Sequence, residues 1–301
     1  MDLLSFEGRV AAVTGAGRGI GRAYALLLAS RGARVVVNDL GGSMQGVGVD
    51  GTVASTVAAE IGDAGGSALA DEHDVASPEG AQALIDAALD RFGQLDILIN
   101  NAGIIRWAGL PDVDAENLER HLAVHVQGSF NTTRAAWPHM VEQGYGRVVM
   151  TTSSGVFGLP MNLSYATAKG GVIGLTRSIA TMSEAHGIKV NLIAPAALTR
   201  MAGPGADADD GSSPMAPGQV APLVAFLAHE TCPVNGEMYA AGAGRFARIF
   251  IASTPGYVAE APTIEDIARH WDEINDEKGY TVPRDLPDWS ASFLAHLPTE
   301  T

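Results

Sequence analysis

Short apolar runs alternate with longer amphipathic stretches over most of the chain. The runs predict buried strands at residues 9–14, 34–38, 67–70, 95–100, 147–151, 189–193 and 237–240. Apolar residues at helical spacing predict helices at 19–31, 52–61, 78–92, 115–143, 165–186 and 219–229. Strands that alternate with helices build βαβ units, so the pattern predicts an α/β, doubly wound sheet of seven parallel strands with helices on both faces.

Three segments depart from this pattern. Residues 41–51 are rich in glycine, and residues 198–218 are rich in Gly, Pro and Asp. The second segment follows the carboxyl end of a predicted strand, where ligands bind in such sheets, so it is a candidate lid; an ordinary surface loop is the alternative. From residue 245 the pattern loosens, which predicts a main domain at 1–244 and an extension at 245–301 that packs on it or on a partner subunit.

Composition and charge narrow the function classes. The 301 residues are 47% hydrophobic with a net charge of −15, so we expect a globular protein that does not bind nucleic acid or anionic membranes. The single cysteine, Cys232, excludes an intrachain disulfide, and neither a secretion signal nor an apolar run of roughly 18 residues is recognisable. A cytoplasmic location is therefore expected. The histidines form no ligand-spaced cluster with carboxylates, so no metal site is predicted.

A glycine-rich turn joins the first predicted strand to the first predicted helix. It has the pattern G-x-x-x-G-x-G at Gly15, Gly19 and Gly21, with Arg18 and Ile20 between the glycines. Glycines at such a turn let the backbone approach a pyrophosphate, and the helix N-terminus adds N–H donors and a positive dipole end. The turn therefore predicts a dinucleotide site in a Rossmann-like fold, with a plain glycine-rich turn as the alternative.

The end of the second predicted strand indicates which nucleotide is bound. Asp39 stands about 20 residues after the glycine turn, where a carboxylate hydrogen-bonds the adenosine ribose hydroxyls and repels a 2′-phosphate. The predicted cofactor is therefore NAD. Arg18 is the opposing evidence, because a basic side chain in the loop can bind the 2′-phosphate of NADP.

Polar and small residues follow the third and fourth predicted strands at the same edge of the sheet. Asp74 and Val75 follow the third strand, and Asn101, Ala102 and Gly103 follow the fourth. We interpret Asp74 as an acceptor for the adenine amine and residues 101–103 as a close contact to the ribose. The alternative is that Asp74 and Asn101 only satisfy turn donors.

Tyr165 and Lys169 lie four residues apart in a predicted helix and therefore share one face. A neighbouring ammonium favours the phenolate, so it lowers the pKa of a tyrosine from about 10 and makes the phenol a usable proton donor or acceptor. Such pairs also occur on solvated helix faces. The motifs around this pair are what favour a catalytic role over a solvated one.

In this order, the motifs resemble those of the short-chain dehydrogenase/reductase family. The glycine turn, Asp39, residues 100–103, a hydroxyl-rich stretch at 151–154, Tyr165 and Lys169 follow the family order. Residues 37–48, 128–137, 220–232 and 242–244 further resemble the (3R)-hydroxyacyl-CoA dehydrogenase unit of the peroxisomal multifunctional enzymes of type 2. The resemblance covers most of the chain and implies an NAD-dependent oxidoreductase that interconverts a secondary alcohol and a ketone.

The resemblance implies catalytic roles for particular residues. Tyr165 would exchange the alcohol proton, and Lys169 would lower the pKa of Tyr165 and bind the nicotinamide ribose. A hydroxyl would hold the substrate oxygen, but the stretch before Tyr165 is one residue shorter than the family pattern. Counting from the strand selects Ser153 and counting back from Tyr165 selects Thr152. We prefer Ser153 because the strand sets its position first.

His125 stands where the family usually has an asparagine, whose main-chain carbonyl holds a water in the proton relay of the lysine. A backbone role, a titrating relay and a purely structural role are all open for this histidine. Pro195, Leu198 and Thr199 resemble the segment that seats the nicotinamide amide. The family also implies a homodimer or homotetramer.

The substrate is less well defined than the reaction. The resemblance suggests a 3-hydroxyacyl thioester of CoA, but residues 198–218 lack a basic cluster for the CoA phosphate. Steroids, terpenoids and other hydrophobic alcohols or ketones therefore remain open. A catalytically silent nucleotide-binding regulator is the alternative from another class, although binding alone would not require Tyr165 and Lys169.

Overall fold

The computed structural model describes residues 3–202 and 213–297, and within them it forms one eight-stranded sheet. The strands are β1 (Val10–Thr14), β2 (Arg34–Asn38), β3 (Ser67–Asp71), β4 (Ile97–Asn100), β5 (Gly146–Thr151), β6 (Ile188–Pro195), β7 (Met238–Gly242) and β8 (Arg245–Ile249). They are arranged in the order β3-β2-β1-β4-β5-β6-β7-β8, and β1 to β7 pair in parallel. The predicted doubly wound α/β fold is confirmed.

The sheet has one strand more than the seven predicted from the sequence. Only Ala243 and Gly244 connect β7 to β8, and both have positive φ, 50° and 72°. A connection of two residues can join only antiparallel strands, so β8 reverses the direction of the chain at the sheet edge. Its side chains are exposed or partly exposed, and the sequence therefore lacks the apolar run that marks the buried strands.

Helices cover both faces of the sheet. They are α1 (Gly19–Ser30), α2 (Thr52–Asp63), α3 (Pro78–Phe92), α4 (Ala115–His121), α5 (Gly128–Gln143), α6 (Leu163–Ser183) and α7 (Ala221–Ala228). After β8 the described residues also form α8 (Ile264–Arg269), α9 (Trp271–Ile274) and α10 (Leu286–Phe293). α1 packs against α2 and α7, and α3 packs against α5. The central strands are covered on both sides, so β1, β4 and most of β2 are buried along their length.

The helix predicted at 115–143 is interrupted. A π-helical turn, Leu122–Gln127, separates α4 from α5. His121 and His125 are buried at this turn, and their rings hydrogen-bond the main chain at Arg106 and Ile104. These contacts accompany the wider turn, which hydrophobic spacing alone does not distinguish from a continuous α-helix.

The chain divides into two compact units, Met1–Arg248 and Ile249–Thr301. Within the second unit, Ser253 pairs with Thr281 across an antiparallel bridge, and the Tyr257 and His270 rings stack with their centroids 3.8 Å apart. The boundary predicted after residue 244 falls where β8 begins, four residues before this division. Among the described residues, no helix has the length and apolar character needed to cross a bilayer.

The strand order sets the position of the site. β2 and β3 lie on one side of β1, and β5 to β8 lie on the far side of its other neighbour, β4. The chain therefore leaves the neighbouring strands β1 and β4 in opposite directions. A crevice opens at the carboxyl ends of the strands at such a switch point, and ligands of doubly wound proteins bind there. Thr14 and Asn100 end the two strands at this place.

Candidate functional site

A cavity of about 1010 Å³ opens at this edge of the sheet. Its volume is at the upper end of the range for small-molecule sites, roughly 300–1,000 Å³. The sequence-predicted cofactor residues that line it are Gly15, Arg18, Gly19, Ile20, Gly21, Asp39, Asp74, Val75, Asn101, Ala102, Gly103, Leu198 and Thr199. Three others, Pro195, Tyr165 and Lys169, are not among its lining residues. The predicted lid at 198–218 contributes lining residues at both ends, while its residues 203–212 lie outside the described part of the chain.

The glycine turn leaves no room for side chains. A Cβ added to Gly21 would lie 2.1 Å from the carbonyl oxygen of Gly15, and one added to Gly15 would lie 2.9 Å from the Cα of Ala102. Gly15 and Gly19 also have positive φ, 62° and 53°, which favours glycine. The turn is therefore a main-chain cradle of the kind that a pyrophosphate requires.

The helix that follows the turn presents its N-terminus to the cavity. Its N-cap residue is Arg18, whose side chain makes no capping hydrogen bond. The first N–H groups of α1 are therefore not satisfied by a cap, and they carry the positive end of the helix dipole. Backbone donors and dipole together suit an anionic ligand in spite of the net charge of −15.

Asn101 ties the turn after β4 to the glycine turn. Its Nδ2 donates to the carbonyl oxygens of Thr14 (3.0 Å) and Gly15 (3.1 Å). Thr14 Oγ1 in turn accepts the N–H groups of Asn101 and Ala102, each at 3.0 Å. The Asn101 side chain thus holds the cavity wall together by donating to two carbonyl oxygens, which differs from the alternative of satisfying turn donors.

Asp39 lines the cavity, but both of its carboxylate oxygens already accept main-chain bonds. One oxygen accepts from Gly17 N–H at 2.9 Å and the other from Gly41 N–H at 2.8 Å. A carboxylate oxygen has more than one lone pair, so these bonds leave capacity for a ribose hydroxyl. Nearby, Arg18 and Arg200 each donate to the carbonyl oxygen of Gly42 at 3.3 Å.

The remaining cavity residues make local bonds. Asp74 Oδ1 accepts from Ala76 N–H at 2.9 Å, an Asx turn that satisfies part of the carboxylate. Leu198 N–H donates to the carbonyl oxygen of Met215 at 2.8 Å, which joins the two ends of the predicted lid. A Cβ built on Gly19 would lie 3.3 Å from the Thr199 methyl group. The first residues of the predicted lid therefore pack against the glycine turn.

Tyr165, Lys169 and Ser153 lie together beside the strand ends. Lys169 is buried on α6, its Nζ donates to the carbonyl oxygen of Thr151 at 2.7 Å, and it stands 5.6 Å from the centroid of the Tyr165 ring. Ser153 is near enough to the Tyr165 phenol to lower its pKa, and its Oγ accepts from Gly155 N–H at 3.0 Å. A phenol and a hydroxyl thus lie next to a buried amine.

Burial controls the protonation of this group. It raises the pKa of Tyr165 above its usual value, and the hydrogen bond with Ser153 lowers it in part. The lowering of the Tyr165 pKa that we expected from Lys169 is therefore not found. Burial also lowers the pKa of Lys169 to about 7, so a large fraction of this amine is neutral near physiological pH and its field on the phenol is weak.

The two candidate hydroxyls have different surroundings. Thr152 is fully buried, and its Oγ1 donates to the carbonyl oxygen of Lys169 at 2.9 Å. Ser153 is only partly buried, and it lies close enough to the Tyr165 phenol to lower its pKa. The geometry therefore favours Ser153 as the hydroxyl that meets a substrate, and it gives Thr152 a role in holding α6 to the end of β5.

His125 is buried with its ring 5.3 Å from the Tyr165 ring in an edge-to-face arrangement. Nε2 lies 2.9 Å from the carbonyl oxygen of Ile104 and 3.3 Å from the Ile104 N–H, and the shorter contact favours a proton on Nε2. Nδ1 is then an acceptor, and it has no hydrogen-bond partner among the described residues. Burial, then the charge of Lys169, lowers the pKa of His125 well below its usual value, so a neutral ring is expected and a titrating relay at this position is disfavoured.

Sequence reasoning missed one residue beside the proposed catalytic group. His121 stacks on His125 with the ring centroids 5.9 Å apart, and the four-residue spacing of the two histidines was a signal that could have found it. Arg200, which the sequence offered as a possible partner for a CoA phosphate, lines the cavity at the end of the predicted lid. Within residues 3–202 and 213–297, no three His, Cys, Asp or Glu side chains converge as metal ligands would.

Comparison with known proteins agrees with this geometry. The model of the short chain dehydrogenase family matches residues 9–208. A short-chain type dehydrogenase/reductase of Mycobacterium tuberculosis is 42% identical over 283 residues, which cover 92% of this chain and 97% of the relative. These matches cover the glycine turn, the strand ends and the Tyr165–Lys169 helix.

Two solved structures are similar in fold. The full-length peroxisomal multifunctional enzyme type 2 from Drosophila melanogaster has a TM-score of 0.79 and 32% identity, covering 97% of this chain and 50% of that one. The chain therefore spans about half the length of that enzyme. A 7α-hydroxysteroid dehydrogenase in complex with NADH and 7-oxo glycochenodeoxycholic acid has a TM-score of 0.70 and 28% identity, covering 80% of this chain and 95% of that one.

The tight glycine turn makes a direct prediction. Gly21→Ala forces the Gly15 carbonyl to move, because the added Cβ would lie 2.1 Å from that oxygen. We expect the Kd for NADH, measured by calorimetry, to rise at least about tenfold. The control is Gly62→Ala on α2, where an added Cβ meets nothing within 4 Å; it should leave NADH binding unchanged and improve helix propensity. Equal Kd values for Gly21→Ala and wild type would contradict the cradle.

The buried amine makes stability depend on pH. The pKa of Lys169 is about 7 in the folded protein and about 10.4 in an unfolded chain, so between these values the unfolded chain binds more protons. We compare the free energy of unfolding of the wild type with that of Lys169→Met. The difference, wild type minus variant, should be constant below about pH 7 and should increase between pH 7 and 10. Urea titrations without cofactor measure it, with the exposed Lys278→Met as the control. A flat difference across this window would show that the amine is not perturbed by burial.

Proposed function

Because the chain belongs to the short-chain dehydrogenases, oxidoreductases that act on CH–OH groups with nicotinamide cofactors, we propose that it interconverts a hydrophobic secondary alcohol and the corresponding ketone with NAD. The single observation that carries this proposal is the buried Lys169 amine 5.6 Å from the centroid of the Tyr165 ring, with the Ser153 hydroxyl beside the same phenol. The alcohol of a 3-hydroxyacyl thioester is the first candidate substrate, from the resemblance to the multifunctional enzymes.

The residues present fit a nicotinamide dinucleotide. The glycine turn is a cradle that a Cβ would fill, and the α1 N-terminus beside it offers donors to a pyrophosphate. The cavity of about 1010 Å³ extends from this turn past Asp39 to Thr199. When bound there, the nicotinamide supplies the hydride chemistry.

The protein would supply positioning and proton transfer. Ser153 is placed to donate to the substrate oxygen while Tyr165 exchanges the proton of that oxygen. Burial keeps the Tyr165 phenol protonated, which suits it as the donor in ketone reduction; in alcohol oxidation it must first lose its proton. Lys169 completes the group, and Thr151 holds its amine in place through a carbonyl bond of 2.7 Å.

Exposed apolar side chains support a hydrophobic substrate. They lie on two segments, which we call the mouth: residues 107–110 and residues 157–161. Its large side chains are 47–80% exposed and are Trp107, Leu110, Phe157, Leu159 and Met161. The Ala108 N–H donates to the carbonyl oxygen of Met161 at 2.9 Å, which joins the two segments. Since residue 157 follows Ser153 and residue 161 precedes Tyr165 closely in the chain, the mouth borders the proposed catalytic group.

Two other expectations stay predictions. A homodimer or homotetramer is supported by Phe130 on α5 and Met182 on α6, which are 47% and 56% exposed. A cytoplasmic location is the expectation from the sequence, while the similar Drosophila enzyme is named as peroxisomal.

A panel assay tests the proposed reaction. NADH absorbance is followed with NAD and (3R)-hydroxyacyl-CoA thioesters of increasing chain length, and separately with hydroxysteroids. We expect turnover of at least one class. Ser153→Ala and Tyr165→Phe should each lower kcat at least about 100-fold, because each removes a hydrogen bond to the reacting oxygen.

The matched control for Ser153 is its neighbour Thr152. Thr152→Val removes only the bond to the Lys169 carbonyl, so it should keep kcat within a few-fold while lowering the melting temperature. Loss of turnover in Thr152→Val but not in Ser153→Ala would reverse the assignment. Binding of NAD with no turnover of any panel member would support the silent regulator instead.

A second experiment tests the cofactor preference. We expect kcat/KM for NAD to exceed that for NADP, and the double change Asp39→Ala with Leu40→Arg to move the ratio toward NADP, because it removes a repelling carboxylate and adds a phosphate partner. Asp39 also holds the Gly17 and Gly41 N–H groups, so Asp39→Asn is the control that keeps an acceptor but removes the charge. A ratio that stays the same in the double variant would mean that Asp39 does not select NAD.

A further inference from the structure

His121 is buried without being part of the proposed catalytic group. It is the last residue of α4 and its exposed fraction is 0%. Nδ1 lies 2.7 Å from the carbonyl oxygen of Asn117, and Nε2 accepts from Arg106 N–H at 3.2 Å. A carbonyl can only accept and an N–H can only donate, so the ring carries its proton on Nδ1 and is neutral.

The contact partners of the two histidines lie close together in sequence. His125 bonds the main chain of Ile104 and His121 bonds that of Arg106. Both rings also meet the Tyr165 ring edge to face, with centroid distances of 5.3 Å for His125 and 6.2 Å for His121. The stacked pair thus fastens the loop after β4 to the turn that packs on the Tyr165 helix.

The fastened loop leads directly into the mouth. Arg106 precedes Trp107 and Ala108, and the Ala108 N–H bonds the Met161 carbonyl on the other segment. Arg106 itself is held further by Nε, which donates to the Gln45 carbonyl at 2.9 Å. The bond from His121 is therefore the contact of α4 with the Arg106 N–H, while Asn117 Nδ2 donates to the Arg106 carbonyl at 3.2 Å and Glu116 pairs with the Arg106 guanidinium at 3.4 Å.

We propose that His121 is a positioning residue: its neutral imidazole holds the Arg106 main chain, and so sets the wall of the mouth against which a hydrophobic substrate packs. The role in substrate binding rests on the proposed function. The bond to Arg106 does not, and it can be tested without turnover.

The hydrogen bond between His121 and Arg106 should depend on pH, whereas a His121 side chain that only fills space would show no such dependence. A protonated ring has no acceptor, so the Arg106 N–H loses its partner as the pH falls through the pKa of His121. The groups that face this ring are Arg106 from the loop, Lys169 and Tyr165 from α6, and His125 from the π turn. Burial first, and then the charges of Arg106 and Lys169, lower the pKa of His121, so the bond persists into mildly acidic solution.

Hydrogen exchange of the full-length protein tests the bond itself. The glutamine of His121→Gln reaches about as far as Nε2 and can still accept from Arg106, whereas the asparagine of His121→Asn reaches only about as far as Nδ1. We expect the peptide covering residues 104–110 to exchange at least about tenfold faster in His121→Asn and in His121→Leu than in the wild type, and His121→Gln to stay within about threefold. The proposal would be overturned if exchange in folded His121→Asn were unchanged, or if His121→Asn and His121→Gln accelerated exchange equally.

Kinetics with the best substrate of the panel test the consequence. We expect the KM for that alcohol to rise about tenfold in His121→Asn, with the KM for NAD unchanged and kcat altered less than threefold, and His121→Gln to restore it. The wild-type KM should rise on acidification and that of His121→Gln should not. A fall in kcat with no change in KM would overturn the positioning role. If no alcohol is turned over, the proposed function fails, while the exchange experiment still decides whether His121 holds the loop.

Discussion

The side chain of Thr14 joins the two strands on which the whole site depends. At the switch point β1 and β4 are neighbours, but the chain leaves them in different directions, so main-chain groups at their carboxyl ends have no further strand partner. Thr14 Oγ1 accepts two of these N–H groups, and Asn101 Nδ2 returns two bonds to the carbonyls of Thr14 and Gly15. Without this junction the glycine turn would have no fixed wall opposite it. The cradle for an anion is therefore built from main chain that polar side chains hold in place.

Charge around the proposed catalytic group is kept low in a protein with a net charge of −15. Burial drives Lys169 toward its neutral form and favours the neutral forms of His121, His125 and Tyr165 as well. An anionic cofactor phosphate or a phenolate would be the natural partner of the Lys169 ammonium, because an opposite charge favours the charged form. The proton on Lys169 is therefore expected to depend on what is bound beside it.

Much of the fold was predictable because it depends on local patterns. β1, β4 and β5 are buried along their whole length and read as apolar runs, and the predicted parallel sheet is confirmed. β8 was missed because an exposed edge strand has no such run, and its turn depends on Ala243 adopting a positive φ. The π turn was missed because one extra residue in a helix leaves the hydrophobic spacing almost unchanged.

The part of the site that consists of sequence motifs was predictable. Most of the predicted cofactor residues line one cavity, because glycines and short polar residues at strand ends meet at one edge. Contacts that depend on tertiary packing were not predictable. Sequence could not tell that both Asp39 oxygens hold main-chain N–H groups, or that Thr152 turns toward the Lys169 carbonyl while Ser153 turns toward Tyr165. To choose between the hydroxyls of Thr152 and Ser153, one must know which way each side chain points. Neighbouring side chains at the end of a strand point to opposite sides, and the sequence does not say which side faces Tyr165.

The cavity and the mouth differ in what holds them, and this difference bears on substrate choice. The glycine turn in the cavity wall has no space for added side chains at Gly15 and Gly21, so it tolerates little change. The mouth consists of exposed apolar side chains on two loops that are joined by main-chain bonds, with Met161 in a left-handed conformation at φ 63° that costs about 1–3 kcal/mol. Replacing Trp107 or Phe157 would therefore change the surface offered to a substrate without moving the groups that bond Ala108 to Met161. A site arranged in this way can change its alcohol while it keeps its cofactor and its proton transfer, so similarity to relatives carries over the reaction more securely than the substrate.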